Sequence, residues 1–420
     1  MEPNEETISE KKTLILLVES EPNARNYLST AIKSSDNFDV LNSGSIRDTM
    51  EILKENYEKI DFILFNWNSI EIPGSTFSQN IRKIYNYDHI ELIAISQNLT
   101  PDDTFLIAEL DIHYTLPKVI NRADLIKKLE EVRKDYHFTK PELQKINELK
   151  HFINLENLEK CEEIVKDEKV LYKIKNNHKF LYLKGELLIL RRQYEEAIQF
   201  FNSMLKDKSK LNTFETLKTM NTLGKAYCLA GKNKEALMIF EKLEAKSPKN
   251  LNHKVMVGEA LLGLDKTYEA ETKFHEVLEK NKKDKSALTG LIKSKSISGK
   301  YEEAKLFYHQ IEGDFESKSL ASYFNNRGVV LVKSDKFDEA ISFYKNALYF
   351  FKKYKDHINF NLGMAYYRSN RIEEAVDYFQ EVLKSDDFES FADKTLLKLL
   401  KEEGADKFIE KFKKSTTQIP

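Results

Sequence analysis

The sequence predicts two folds in one chain: an α/β domain built on a doubly wound parallel sheet, followed by an all-α solenoid. Three observations carry this. Short apolar runs alternate with amphipathic stretches as far as Tyr136, every later stretch reads as helix, and near-identical segments then recur along the helical part. Only 13 Gly and 8 Pro in 420 residues favour long helices joined by short connections.

The apolar runs are Thr13–Val18, Phe38–Leu41, Asp61–Phe65, Ile90–Ile95 and Ile112–Thr115, rich in Ile, Leu, Val and Phe. Continuous rather than alternating runs are those of strands buried on both faces, so helices should cover both sides of the sheet. Ser45-x-x-Asp48 and Thr100-Pro101-x-Asp103 are helix-start patterns between them. Ligands of such sheets lie beyond the strand carboxyl ends. Thr139-Lys140-Pro141-Glu142 is a further capping pattern, opening the helical part. The junction holds no Gly or Ser, so a fixed orientation is expected rather than a floppy tether.

In the helical part, Arg192-Gln193-Tyr194-Glu195-Glu196-Ala197 and Gly299-Lys300-Tyr301-Glu302-Glu303-Ala304 are near copies, as are Lys336–Ala340 and Arg371–Ala375. Aligned alanines fall at 197, 236, 270, 304, 340 and 375, in steps of 39, 34, 34, 36 and 35. Four residues after each stands an aromatic: Phe201, Phe240, Phe274, Tyr308, Tyr344 and Phe379. Twelve residues before most of them stands a glycine, Gly185, Gly224, Gly258, Gly328 and Gly363, with Ile292 in the fourth repeat. These positions resemble the tetratricopeptide repeat, whose period is about 34 residues. Small residues let paired helices approach, an aromatic fills the gap to the next pair, and stacking is obligatory because one unit cannot bury its apolar face.

The expected organisation is a disordered segment 1–11, a first domain over 12–138, a degenerate repeat over 139–177 with Cys161 at the alanine position, six repeats over 178–387, and capping helices with a tail over 388–420. The amphipathic stretch Lys407–Lys414 is read as part of that cap rather than as a membrane or partner anchor.

The first domain resembles a response-regulator receiver over roughly residues 12–135. Val18-Glu19-Ser20-Glu21-Pro22 stands where receivers carry an acidic pair, and Phe65-Asn66-Trp67-Asn68 where the phosphoacceptor aspartate ends the third strand. Gly74 follows eight residues on, Ser96 ends the fourth strand, and Lys118 lies where the family lysine would, followed by Val119 instead of proline. Phosphotransfer to a receiver forms an acyl phosphate and needs a carboxylate oxygen as nucleophile, which the carboxamide of Asn66 does not supply. Mg²⁺ prefers carboxylate and phosphate oxygens, yet Ser20 and Asn66 leave Glu19 as the one secure anionic ligand. The resemblance therefore implies a pseudo-receiver without a strong metal site, its degenerate pocket being Glu19, Ser20, Asn66, Ser96 and Lys118. The competing reading is a working response regulator phosphorylated at another carboxylate.

Nothing else in the chain points to catalysis. The nine histidines show no H-x-x-x-H or paired Cys/His spacing, and no P-loop, dinucleotide fingerprint or G-x-S-x-G elbow occurs. No cofactor and no metal are expected. A net charge of -2 offers no basic field for nucleic acid or anionic membrane. No apolar run approaches the ~20 residues of a membrane span. Met1–Lys12 is acidic and polar, unlike a signal peptide, so the cytoplasm is the expected compartment. Two cysteines, Cys161 and Cys228, are read as small buried apolar residues rather than a disulfide framework.

By resemblance, the repeats bind a protein segment in a concave groove. Helical spacing on each first helix puts Tyr182, Glu186, Ile189, Asn221, Lys225, Cys228, Val255, Glu259 and Leu262 on that groove face. Thr289, Lys293, Ser296, Asn325, Val329, Val332, Phe360, Met364 and Tyr367 continue it. Phe360, Met364 and Tyr367 are the candidate anchors, with Asn325 beside them for backbone hydrogen bonding. The reading is a signalling adaptor that binds proteins, with a homodimer possible through Thr100–Leu110, Ile112–Thr115 and Arg122–Lys134.

Overall fold

The apolar runs form β1 (Thr13–Val18), β2 (Phe38–Ser43), β3 (Phe62–Asn66), β4 (Glu91–Ser96) and β5 (Tyr114–Pro117). All pairs are parallel, in the order β2-β1-β3-β4-β5. The computed structural model describes residues 12–137, 141–167, 172–175, 177–206, 211–311, 318–385 and 395–415. The expected disorder at 1–11, the capping pattern at Thr139 and the final tail lie outside these residues. β5 starts two residues later than its apolar run. The Ile112 N–H closes the preceding helix on the Ile107 carbonyl (3.0 Å) instead of joining the sheet.

The connecting helices are α1 (Pro22–Ile32), α2 (Ile46–Asn56), α3 (Gly74–Arg82), α4 (Pro101–Glu109) and α5 (Arg122–His137). Strand residues alternate between two cores. Ile15, Leu17, Phe62 and Leu64 pack with Leu28 and Ile32 of α1 and with Leu125 and Leu129 of α5. Leu16, Val18, Ile63 and Phe65 pack with Leu53, Phe77 and Leu106 of α2, α3 and α4. Both cap patterns form: Ser45 accepts the Asp48 N–H at 3.1 Å, and Thr100 and Asp103 complete a reciprocal capping box.

The chain divides into two units, 1–264 and 265–420. The first continues with α6 (Pro141–Asn154), α7 (Leu158–Lys166), α8 (His178–Leu190), α9 (Tyr194–Lys206), α10 (Thr213–Leu229), α11 (Asn233–Lys246) and α12 (Leu251–Gly263). The second holds α13 (Thr267–Lys280), α14 (Lys285–Ile297), α15 (Tyr301–His309), α16 (Lys318–Lys333) and α17 (Phe337–Phe350). It ends with α18 (Lys355–Arg368), α19 (Ile372–Leu383), α20 (Thr395–Glu403) and α21 (Ala405–Ser415).

All six aligned alanines and Cys161 are fully buried. Phe201, Phe240, Tyr344 and Phe379 lie over Gly185, Gly224, Gly328 and Gly363 of their own repeats, where a Cβ would overlap the ring. The aromatic thus fills the gap inside its own helix pair. Phe274 is the exception, lying over Gly290 of the following helix. Tyr308 is half-buried and donates its hydroxyl to the Phe350 carbonyl (3.3 Å), in the repeat where Ile292 replaces glycine. Cys228 is half-buried rather than buried as expected. Phe408 of α21 is buried in the second unit's core, so the apolar side of the Lys407–Lys414 stretch is engaged there.

A further periodic feature lies in the backbone. Arg192, Gly231, Asp265, Gly299, Asp335 and Asn370 all have positive φ, and each precedes a repeat alanine by five residues. They close the first helix of each repeat; after Gly231, for example, the Lys232 N–H returns to the Tyr227 carbonyl at 2.8 Å. Gly, Asp and Asn tolerate this conformation, whereas Arg192 (φ 62°) does not. Arg192→Gly is expected to stabilise the chain by about 0.5–1 kcal/mol, read as a raised melting temperature.

Candidate functional site

β1 and β3 are adjacent, with Val18 beside Phe65, at the point where the strand order reverses. The residues that follow them face each other across the crevice where ligands of such sheets bind. Here Asn66 Nδ2 donates to Glu19 Oε2 at 2.9 Å, and both side chains are buried. The other oxygen, Glu19 Oε1, accepts the Glu21 N–H at 3.0 Å. Asn66 Oδ1 accepts the Asn68 N–H at 3.0 Å. These partners fix the amide orientation, since a backbone N–H needs an acceptor and a carboxylate needs a donor.

Asn68, not singled out as a site residue by the sequence, carries the network onward. Its Oδ1 accepts the Ser96 hydroxyl (2.8 Å) and the Gln97 N–H (3.0 Å). Ser20 Oγ lies 3.1 Å from Ser69 Oγ. Lys118 joins the pocket only through its backbone N–H, which donates to the Ser96 carbonyl at 3.0 Å; its side chain is exposed. Gly74 is required where it stands: its N–H donates to the Trp67 carbonyl (3.1 Å), and a Cβ would sit 2.5 Å from Trp67 Cα.

The receiver resemblance implies Mg²⁺, and this donor set does not fit it. The one buried carboxylate is engaged at both oxygens, with an amide N–H against the oxygen a cation would need. Among the described residues no group of three or more His, Cys, Asp or Glu is arranged to hold a metal ion.

The expected groove residues fall in two sets, one in each unit. In the first, Tyr182 donates to Glu186 (2.8 Å) and lies 2.7 Å from Thr222 Oγ1; burial, reinforced by Glu186, pushes its phenol well above the usual range. Asn221 and Glu259 are half-buried and Lys225 is exposed. In the second, Lys293 Nζ sits 4.8 Å above the Tyr323 ring, and Asn325 is exposed, accepting from Asn361. Phe360, Met364 and Tyr367 are half-buried on their own core: Phe360 lies 6.0 Å from Phe379, and Tyr367 lies edge-on to Phe412 at 5.2 Å. No described helix is long and apolar enough to cross a membrane.

Family models match the same regions. The response regulator receiver domain matches residues 15–130, the tetratricopeptide repeat 319–387, and the PPR repeat 218–247. The chain is thus a receiver domain joined to helical repeats of the tetratricopeptide kind. A search of curated proteins found no match. Among solved structures, the chemotaxis response regulator CheY4 of Vibrio cholerae is 17% identical, covering 29% of this chain and 99% of its own, with a TM-score of 0.27. A tetratricopeptide repeat protein from Parabacteroides merdae is 17% identical over 64% of this chain and 98% of its own, with a TM-score of 0.39. The Cut9-Hcn1 complex of the APC/C matches at 11% identity over 74% of this chain and 54% of that chain, with a TM-score of 0.41.

Proposed function

We propose that this chain is a non-enzymatic, cytoplasmic signalling adaptor that binds a protein partner through its repeats and carries a receiver that does not accept phosphate. The carrying observation is the Asn66 amide, bonded to Glu19 where a nucleophilic carboxylate would have to stand. Its neutral carboxamide is no nucleophile toward a phosphoryl group, and the surrounding donors leave no vacancy for a divalent cation. The repeats offer the interaction surface. Within 265–420, exposed Asn325 and the Lys293–Tyr323 pair present hydrogen-bonding and cationic groups to an extended segment.

The test is affinity capture with the full chain against Lys293→Glu and Asn325→Ala variants. Asn325 is exposed and Lys293 half-buried over the Tyr323 ring, so the melting temperature should fall little while captured partners are lost. An unchanged partner profile in folded variants would remove this wall as the binding site.

A further inference from the structure

The α3–α4 face of the receiver is bonded to repeats of its own unit. Gln79 on α3 accepts the Leu251 N–H (2.7 Å) and donates to the Lys249 carbonyl (3.2 Å), satisfying the start of α12. Glu109, ending α4, accepts from Ser247 Oγ (2.7 Å) and Asn250 Nδ2 (2.9 Å), and its other oxygen lies 3.3 Å from His253 Nε2. The Glu109 and His253 side chains are 6% and 2% exposed. Lys249 donates to Asp103 (2.8 Å), which the Thr100 and Trp67 side chains also reach. Beyond α4, Asp111 accepts from Lys218 of α10 (2.9 Å), and Phe105 meets Phe214 at 6.1 Å. Parting such a face would leave buried polar groups unpaired, so it is a built interface.

The residues it covers lie on the groove face. Extending the α10 stripe of Asn221 and Lys225 back by two turns gives Phe214 and Lys218, and extending the α12 stripe of Val255 back by one gives Leu251. These are residues the receiver touches. We propose that the receiver is the array's own groove ligand: its α3–α4 face closes the inner wall at α10 and α12, leaving the wall within 265–420 to a partner in trans. The second half of this statement rests on the binding role proposed above; the first does not. It also withdraws α4 from the edge that a receiver homodimer would use.

Buried His253 faces Glu109 of α4, Glu244 of α11 and the Leu243 and Ser247 carbonyls, and desolvation outweighs them to hold its pKa below the usual range.

An amine-reactivity footprint of the full chain, without partner, is the test. Burial lowers the Lys218 pKa but Asp111 outweighs it, so the half-buried ammonium is ion-paired and held protonated. Lys218 should react several-fold more slowly than exposed Lys225 on the same helix. Lys249→Glu combined with Glu109→Gln should bring it to the Lys225 rate. Equal rates for Lys218 and Lys225 in the unmutated chain at neutral pH would overturn the proposal, whatever the variant does. So would a captured partner that shields Lys225 while raising Lys249 reactivity. Failure to capture any partner with the Lys218 footprint intact would count against the binding role alone.

Discussion

Asn66→Asp is expected to lower the stability of the chain rather than restore a phosphorylation site. The substitution replaces an N–H donor 2.9 Å from the buried Glu19 carboxylate with a second carboxylate oxygen. One favourable buried hydrogen bond becomes a like-charge contact, and the guanidinium beside it, Arg25, is spent on the Glu19 carbonyl at 2.6 Å. The expected cost is about 2–4 kcal/mol at neutral pH, the scale of an uncompensated buried charge. The cost should shrink in acid, because the crowded pair takes up a proton at a raised pKa and the proton restores a donor. Asn66→Ala removes the bonds without the repulsion and should be the milder change. Thermal unfolding of the two variants at neutral and acidic pH checks the order. Equal stability of Asn66→Asp and the unmutated chain would show that the amide–carboxylate bond is not what organises this pocket.

Gly224→Ala destabilises the repeat array, although alanine is the better helix former. A Cβ at 224 would meet the Phe240 ring at 2.6 Å, and that ring is fully buried. Overpacking of about 1–3 kcal/mol exceeds the ~1 kcal/mol that glycine-to-alanine gains in an exposed helix. Ala236→Leu on the facing helix should cost a similar amount, since Ala236 is fully buried, and stacked repeats spread the loss to their neighbours. Lys225→Ala, one residue from Gly224 but exposed, is the control and should leave the transition in place. A Gly224→Ala variant as stable as that control would contradict the packing described here.

What the sequence discloses and what it conceals follow from the period of each signal. The strands and helices of the receiver are legible because burial on both faces of the sheet demands continuous apolar runs. The repeats are legible because one Ala and one aromatic recur in phase. The start of β5 is not, since Ile112 is as apolar as a strand residue and its backbone bond to Ile107 leaves no compositional trace. The left-handed turns escape because only two of their six occupants, Gly231 and Gly299, are glycine. In the pocket, Glu19 and Asn66 follow adjacent strands and bond to each other, whereas Asn68 is missed because its role is to receive the Ser96 hydroxyl and Gln97 N–H from another strand end. The receiver–repeat face is the least legible part. Gln79, Glu109 and His253 are single polar residues with no spacing in common, and only their partners far along the chain give them meaning. A carboxylate between Leu106-Ile107-Ala108 and Leu110 was the one available hint.

The receiver proposed here does not accept phosphate. Incubating the full chain with acetyl phosphate and Mg²⁺ and weighing the intact protein tests it directly. The expected spectrum shows no phosphoryl adduct on the unmutated chain, with Asn66→Asp gaining little because Ser20 still stands in place of the second acidic residue. A stoichiometric, hydroxylamine-labile adduct mapping to a carboxylate within residues 12–138 would contradict the account.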